Sequence, residues 1–367
     1  MRIYLVHRVL TAVVVYSLAL GAAGHQQSNC VSRIPEGRIT GHCISIRQCE
    51  YFLRILQRPD ISQAERNLLR DNRCSRQEDV QVCCPVDGYL SGLGALTNPL
   101  LPRECGVVKW TRLNETDTQI DEFPWMALIE YTKPDQEKLH ACGGVLISDR
   151  YVLTAAHCVS GHSISSMGWQ VRNVRLGEWD TLTNPDCQVS KTSKQPDCAP
   201  PHQDVAVEEI IVHPVYNKDG KSQTNDIALI RLRNPAQLND YVQPICLPNK
   251  QVRADELEDL VTEVGGWQTT SSTRMQKSEV IITSIENCQR QYAQQNVQIL
   301  ASQLCGAAKS NECRGNSGGP LMLLKNNVYL LGGIMSFGPI PCPSPGWPDI
   351  YTRVASYIDW IHENLKP

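Results

Sequence analysis

The chain has 367 residues, of which 41% are hydrophobic and 20% charged, and a formal net charge of −3 at neutral pH. This length allows more than one domain. Lysine and arginine are not clustered anywhere in the sequence, which argues against a nucleic-acid partner. Sixteen cysteines, an even number, indicate disulfide bonds. Zinc is the alternative use of cysteine, but the adjacent pair Cys83 and Cys84 cannot form a tetrahedral site alone, so we predict no metal site.

Residues 1–24 have the pattern of a secretory signal peptide. Arg2 and Arg8 precede an apolar run at residues 9–20, and small residues suited to cleavage follow at 21–24. A membrane anchor is the alternative, but the apolar run is too short to span a bilayer and no second apolar stretch follows it. We expect a secreted, extracellular protein with no membrane partner.

A break in the chain separates two cysteine-bearing parts. Residues 85–102 are rich in glycine and proline and show neither helical nor strand periodicity, as in a linker. Six cysteines lie before this segment and ten after it. We assign residues 30–84 to a small module, 85–112 to a linker and light chain, and 113–367 to a second domain.

The first module is too small to bury a large hydrophobic core, so we expect disulfide bonds between its cysteines to stabilise its fold. Two capping-box patterns predict helix starts, one at Ser45 with Gln48 and one at Ser62 with Glu65. Three apolar residues after the first start are expected to face the cystines: Phe52, Leu53 and Leu56.

The cysteine spacing of this module is its most specific feature. The six cysteines are Cys30, Cys43, Cys49, Cys74, Cys83 and Cys84. The spacing resembles the clip domain of arthropod extracellular proteases, a domain expected to bind a protein partner. The resemblance implies the bridges Cys30–Cys83, Cys43–Cys74 and Cys49–Cys84. The sequence alone permits fifteen pairings, and a generic cystine-rich knob is the alternative interpretation.

Beyond the linker the pattern changes to short β-branched runs between turn residues. They lie at residues 125–131, 145–147, 227–231, 328–335 and 350–353. Such runs predict an all-β barrel or sandwich. From Val354 onward, apolar Tyr357, Ile358, Ile361 and Leu365 recur at helical period, which predicts a terminal helix packed on the barrel.

Three separate segments carry the chemistry. His157 follows residues 153–156, which are typical of the end of a buried strand, Asp226 lies at the start of an apolar strand, and Ser317 lies in a glycine-rich bend. Each of these residues alone is weak evidence for catalysis. An isolated histidine is more often a structural residue than a catalytic base, and an aspartate before a strand is more often a turn or cap residue. Together, in this chain order, they resemble the chymotrypsin family from about Cys105 to the C-terminus. The resemblance implies a mainly β, chymotrypsin-like double β-barrel that cleaves peptide bonds.

The resemblance also gives each residue a role. Ser317 is the nucleophile, His157 accepts its proton, and Asp226 holds the imidazole in the required tautomer. The backbone amides of Gly315 and Ser317 are expected to form the oxyanion hole.

The remaining cysteines fit the disulfide pattern of the chymotrypsin family. By resemblance they pair as Cys142–Cys158, Cys288–Cys305, Cys313–Cys342 and Cys105–Cys246, which leaves Cys187 and Cys198 to each other. The last pair closes a loop that holds calcium in some relatives, with Glu178 and Asp204 as candidate ligands here. The alternative is that these carboxylates are simply solvated, and no cofactor is required for the proposed chemistry.

The substrate pocket departs from the trypsin-like pattern. Asn311 stands where trypsin-like relatives have an aspartate, and Asp349 stands on the adjacent wall where glycine is usual, with Ser336 and Gly338 completing the pocket. A carboxylate in a narrow pocket is costly unless paired, so a lysine or arginine of the substrate is the predicted partner. The alternative is that Asp349 bonds Asn311 and blocks the pocket.

The segment expected to be cleaved on activation also differs from the pattern of the trypsin-like relatives. Arg112 is the predicted cleavage site, with Leu113 as the new terminus, but the glycines that follow in relatives are replaced and the segment is one residue short. Asn316 replaces the aspartate that pairs with the new terminus. Asn114 begins a glycosylation sequon, Asn-Glu-Thr, and a glycan there could not enter a buried pocket.

Two functions of different classes therefore compete. The first is a secreted zymogen-type serine endopeptidase in an extracellular cascade of immunity or development, with protein substrates and an upstream activating protease. The second is a weakly active or non-catalytic homologue that acts as a binding adaptor or regulator. Intact His157, Asp226, Ser317 and Gly315 favour the enzyme, and Asn316 favours the homologue.

Overall fold

The structure is a computed structural model. It describes residues 29–34, 37–46, 49, 52, 55–56, 60–74, 81–85, 98–102, 104–107, 117–189, 196–267, 272–309, 317–325, 328–339, 344 and 346–367. The predicted signal peptide, 1–24, lies outside these residues. The chain divides into two compact units, residues 1–86 and 87–367. None of the described helices is both long and apolar enough to cross a bilayer.

The described residues of the first unit include a three-stranded antiparallel sheet and a helix. Its strands are β1 (Asn29–Ile34), β2 (Gly37–Ser45) and β3 (Gln81–Pro85), in the order β1-β2-β3, and the helix is α1 (Gln63–Asp71). The predicted capping box starts α1: Glu65 N–H donates to Ser62 Oγ at 3.2 Å, and Ser62 N–H donates to Glu65 Oε2 at 2.8 Å. At the other predicted start, Ser45 ends strand β2 and Gln48 lies outside the described residues.

Disulfides and a small apolar cluster hold this unit together. The three predicted bridges are confirmed as Cys30–Cys83, Cys43–Cys74 and Cys49–Cys84. Phe52 is fully buried among Cys49 and Val82, as predicted. The prediction for Leu56 is wrong, because Leu56 is 41% exposed and Ile55 packs on the cluster instead. Leu53 lies outside the described residues.

A buried asparagine joins strand β1 to the end of helix α1. Asn72 is 2% exposed, and its side-chain oxygen accepts hydrogen bonds from Ser32 Oγ at 2.9 Å and from the backbone N–H of Arg33 at 2.7 Å. Its amide nitrogen donates to the carbonyls of Arg33 and Leu68. One side chain therefore satisfies backbone groups of both elements.

The second unit contains two closed six-stranded barrels. In chain order the strands of the first barrel are β4 (Met126–Thr132), β5 (Lys138–Ser148), β6 (Tyr151–Thr154), β7 (Gln170–Leu176), β10 (Gln203–Val212) and β11 (Ala228–Leu232). Their order around the barrel is β10-β11-β6-β5-β4-β7, and β8 (Cys187–Val189) and β9 (Pro196–Cys198) form a separate two-stranded sheet. Two short helices, α2 (Ala156–Ser160) and α3 (His162–Met167), lie between β6 and β7.

The second barrel has the order β12-β13-β14-β17-β16-β15. Its elements are a 3-10 turn (Asp255–Leu257), β12 (Val261–Gly266), β13 (Gln276–Thr283), helix α4 (Ile285–Ala293), β14 (Gln303–Ala308), β15 (Pro320–Lys325), β16 (Val328–Phe337) and β17 (Asp349–Arg353). Each predicted β-branched run overlaps one of the barrel strands. The predicted double-barrel fold class is confirmed.

The C-terminal segment packs back on the protein as predicted. A 3-10 turn (Val354–Tyr357) leads into helix α5 (Ile358–Asn364), and Tyr357, Ile358 and Ile361 are buried in the same apolar cluster as the first barrel. Apolar residues at helical spacing thus place one face of α5 against the core.

The contacts of Asn72 predict the effect of removing them. Asn72→Ala leaves the hydroxyl of Ser32 and the backbone groups of Arg33 and Leu68 without this partner, at a cost on the order of 1–3 kcal/mol. We expect the amides of residues 31–33 to exchange with deuterium about tenfold to a hundredfold faster in the full chain. Asn67→Ala, on the same helix, is the matched control, and an equal acceleration in that variant would contradict the role assigned to Asn72.

Candidate active site

His157 and Asp226 lie in contact. Strand β6 ends at Thr154, and His157 follows in the first turn of α2, where its side chain is 25% exposed. Asp226 is fully buried, and its Oδ2 lies 2.7 Å from His157 Nδ1. Asp226 Oδ1 also accepts the backbone N–H of His157 at 2.8 Å. The carboxylate therefore fixes both the ring and the backbone of this histidine.

The second barrel contributes the other contacts of Asp226. Ser336 Oγ, on β16, donates to Asp226 Oδ2 at 2.5 Å, and Thr352 Oγ1, on β17, donates to the carbonyl oxygen of Asp226 at 2.7 Å. Sequence reasoning placed Ser336 in the substrate pocket and did not identify its bond to Asp226 or any role for Thr352. No local pattern reveals these contacts, since more than 100 residues separate each donor from Asp226.

Ser317 is held at the same junction. Its carbonyl oxygen accepts the backbone N–H of Gly143, on β5 of the first barrel, at 2.8 Å. Among the described residues no hydrogen bond joins Ser317 Oγ to His157, whose Nε2 lies 3.5 Å from Cys158 Sγ. Catalytic hydrogen bonds are often long before substrate binds, so this geometry is compatible with a nucleophile and base pair.

The residue after Ser317 has to be glycine. Gly318 has φ +77°, and a Cβ there would lie 2.3 Å from Thr154 Oγ1 and 2.6 Å from the carbonyl oxygen of Gly143. A side chain would both strain the backbone and push the two barrels apart at this point. Gly318 N–H donates to the Met335 carbonyl at 2.9 Å, which fixes the turn.

Two predicted pocket residues, Gly338 and Asp349, lie side by side. A Cβ built on Gly338 would lie 2.1 Å from Asp349 Oδ1, so only glycine leaves room for this carboxylate. Burial raises the pKa of Asp349 to about 6, and Asp349 has no hydrogen-bond or ion-pair partner among the described residues. Tyr292, nearby, donates its hydroxyl to the Pro348 carbonyl instead.

Several predicted site residues lie outside the described part of the chain. They are Asn311 of the pocket, Gly315 of the oxyanion hole, Asn316, and the activation residues Arg112, Leu113 and Asn114. The predicted bridge between Cys313 and Cys342 lies outside it as well.

The segment that follows the predicted cleavage site is anchored from residue 117 onward. Thr118 N–H and Oγ1 both donate to the Met275 carbonyl, and Trp179 Nε1 donates to Thr118. Ile120 N–H donates to Gln188 Oε1 at 3.0 Å, beside the β8-β9 hairpin. Sequence reasoning missed this anchor, because its partners come from loops of both barrels.

Four further predicted disulfides are confirmed in the second unit: Cys105–Cys246, Cys142–Cys158, Cys187–Cys198 and Cys288–Cys305. The described residues contain one cluster with metal-ligating side chains, Cys142, His157 and Cys158. Its two sulfurs are joined in a disulfide, so they offer no thiolate to a metal.

The two candidate calcium ligands are bonded to an arginine. Arg175 donates to both oxygens of Asp204, at 2.7 and 3.0 Å, and to Glu178 Oε2 at 3.2 Å. His202 Nδ1 lies 3.4 Å from the same Glu178 oxygen. Burial raises the pKa of Glu178 to about 7. This arrangement does not fit a calcium ion unless Arg175 moves away, so the calcium hypothesis stays a prediction with that condition.

Comparison with known protein families matches both units. The family described as Trypsin matches residues 113–361, and the family described as Regulatory CLIP domain of proteinases matches residues 33–84.

Individual proteins match over most of the chain. Serine protease ea of Drosophila melanogaster is 41% identical over 348 residues, which cover 88% of each chain. Melanization protease 1 of the same organism is 39% identical over 370 residues, 89% of this chain and 91% of that one. A crystal structure of the Drosophila Grass clip serine protease of the Toll pathway has a TM-score of 0.62 and 28% identity, and the match covers 92% of this chain and 96% of that one.

The contacts of Arg175 predict how the loop responds to calcium. In Arg175→Gln the oxygens of Glu178 and Asp204 lose their guanidinium partner, so added calcium should raise the melting temperature of this variant more than that of the wild type. Differential scanning fluorimetry at about pH 8, above the pKa near 7 of Glu178, measures the shift. Arg172→Gln, on the same strand, is the control. A large calcium shift in the wild type, reversed by EDTA, would contradict the prediction.

Proposed function

The chain belongs to the clip-domain serine proteases of insects, and from this premise we propose that it is a secreted serine endopeptidase, made as a zymogen, that acts in an extracellular proteolytic cascade. The observation that carries the proposal is the contact between His157 Nδ1 and the buried Asp226 Oδ2, which is 2.7 Å long. The name of Melanization protease 1 associates that relative with melanization, and the Grass protease is described as part of the Toll pathway. We extend this association to an immune or developmental role here.

The proposed reaction is hydrolysis of a peptide bond through an acyl-enzyme. Ser317 Oγ attacks the carbonyl carbon while its proton moves to His157 Nε2, and the imidazolium then gives this proton to the leaving amine. Water repeats the sequence to release the acid. Asp226 keeps the proton on Nδ1, which leaves Nε2 free to act as the base. These steps require no cofactor.

The developing negative charge falls on the former carbonyl oxygen. We assign its stabilisation to the backbone amides of Gly315 and Ser317. Loss of one such donor costs about 3 kcal/mol of transition-state stabilisation. A substituent or a peptide flip at Gly315 is therefore sufficient to impair the enzyme.

Cleavage after Arg112 by an upstream protease is the proposed activation step. After cleavage, four Cα–Cα steps would separate the new terminus at Leu113 from the anchored residue 117, and they span at most about 14 Å. Asn316 replaces the aspartate expected to pair with this terminus, and a neutral amide lacks a charge-assisted bond worth roughly 1.5 to 3 kcal/mol. We therefore expect weak activity after cleavage, and less still if Asn114 carries a glycan.

The clip module and the substrate complete the set of proposed partners. The three disulfides of residues 30–84 hold a small surface rigid, which suits binding to another protein of the cascade. For the substrate, the buried carboxylate of Asp349, which has no ion-pair partner among the described residues, favours a basic side chain in the pocket.

A fluorophosphonate probe tests the catalytic proposal. The probe forms a covalent bond only with an activated serine, so the protein cut at Arg112 should label slowly and the uncut protein less. Ser317→Ala should not label. Asn316→Asp restores the charge partner and should label about tenfold faster or more, following the lost bond energy. No labelling of any form would support the alternative function, a non-catalytic homologue that acts as a binding adaptor.

Binding of benzamidine tests the role of Asp349. The amidinium is a cation throughout the relevant pH range, whereas a carboxyl with a pKa of about 6 is mostly ionised at pH 8 and mostly protonated at pH 5. We expect the dissociation constant of benzamidine to be about tenfold higher at pH 5 than at pH 8. The variant Asp349→Asn should bind benzamidine weakly at both pH values.

Cleavage of peptide libraries is a second test of the pocket. Cleavage after leucine or alanine, with none after arginine, would contradict the hypothesis of a pocket for basic side chains.

A further inference from the structure

The first barrel is incompletely paired at one place. Strand β7 pairs with β4 along its whole length, but with β10 only between residues 173–176 and 203–206. From Val207 onward β10 pairs with β11 alone. Strands β7 and β10 therefore diverge, and residues 170–172 and 207–210 face each other across a gap. Residues 170–171 pair with β4 and residues 207–210 with β11, but among the described residues neither segment has a strand partner on the side that faces the gap.

This gap is a groove with a volume of about 690 Å³, lined by both unpaired edges. Each of the two strands that border it has a β-bulge here, with Arg172 as the extra residue in β7 and Glu208 as the extra residue in β10. Bulges bend a strand and redirect its side chains. Val171, Val207 and Ile210 add apolar surface to the lining. The groove thus offers unpaired backbone and apolar side chains together.

The carboxylates of the groove are already neutralised. Glu130, buried at its floor, is bonded to Lys138 and Asn173. The other acids bond to cations that do not line the groove: Glu208 to Arg150 and Arg231, and Glu209 to Lys366.

Two arginines of the groove have no acidic partner among the described residues. Arg172 donates to the side chain of Gln170, and within the same residues the Arg233 side chain makes no hydrogen bond or ion pair. Both are exposed and both line the groove. The surface is therefore cationic, although the whole chain is slightly acidic.

We propose that this groove, which we call the β7-β10 groove, docks an extended acidic segment of a protein substrate. The exposed strand edges provide backbone hydrogen bonds, as in the addition of a strand to an open sheet edge. Arg172 and Arg233 pair with the acidic side chains, and the valines contact the alternate, apolar ones. The identity of the occupant as a substrate rests on the proposed function, but binding of the segment does not require catalysis.

The test uses the full chain with Ser317→Ala, so that no peptide is cleaved. The probe is a fluorescein-labelled dodecapeptide in which glutamate alternates with valine, and the control peptide has lysine for glutamate. Fluorescence anisotropy should detect saturable binding of the acidic peptide only. Arg172→Glu with Arg233→Glu should weaken it about tenfold or more, and the glutamine pair should weaken it less. The matched control, Arg253→Glu with Arg290→Glu, makes the same charge change on the second barrel and should bind as before.

Hydrogen exchange locates the bound peptide. Its addition should protect the amides of residues 170–172 and 207–210, because these edges gain hydrogen bonds. Protection elsewhere, or equal loss of binding in both charge-reversal pairs, would overturn the proposal. Binding of heparin without binding of the peptide would assign the groove to a polyanion and overturn it too. Because fluorophosphonate labelling of the chain with Ser317 intact is measured separately, a failed docking site and a failed enzyme give different results.

Discussion

The buried carboxylate of Asp226 is the constraint on which the active site depends. A carboxylate with no exposed surface is costly unless its oxygens are bonded, and here the first barrel supplies His157 while the second supplies Ser336 and Thr352. The same junction holds Ser317 through the amide of Gly143. The two barrels thus meet around one acid, and a shift of either barrel would misplace the residues to which we assign the catalysis.

Charged groups elsewhere in the second unit differ in whether they have an internal partner. Lys277 is paired with Glu122, and both side chains are buried. Among the described residues, Asp349 of the predicted pocket and Arg172 and Arg233 of the β7-β10 groove have no such partner. A charge without an internal partner is available to a ligand, and these residues lie at both places where we propose that a substrate is held.

The sequence predicted most of the framework and less of the site. Cysteine spacing and family resemblance gave all seven disulfides that the structure describes, and the capping box at Ser62 gave the start of α1. These features depend on local spacing or on a shared fold. The prediction for Leu56 failed because the apolar pattern alone could not tell whether this residue or Ile55 would face the cluster. The calcium hypothesis named Glu178 without seeing that Arg175 would bond to it.

The sequence by itself predicted which residues carry the proposed chemistry, since His157, Asp226 and Ser317 are recognisable from the short segments around them. It also determined that disulfide bonds stabilise each of the two units. Only the tertiary structure decided what surrounds Asp226 and where the first barrel opens. Those properties arise where segments distant in the chain meet, and the register at which two strands part is set by packing and bulges of the whole barrel rather than by the residues of either strand.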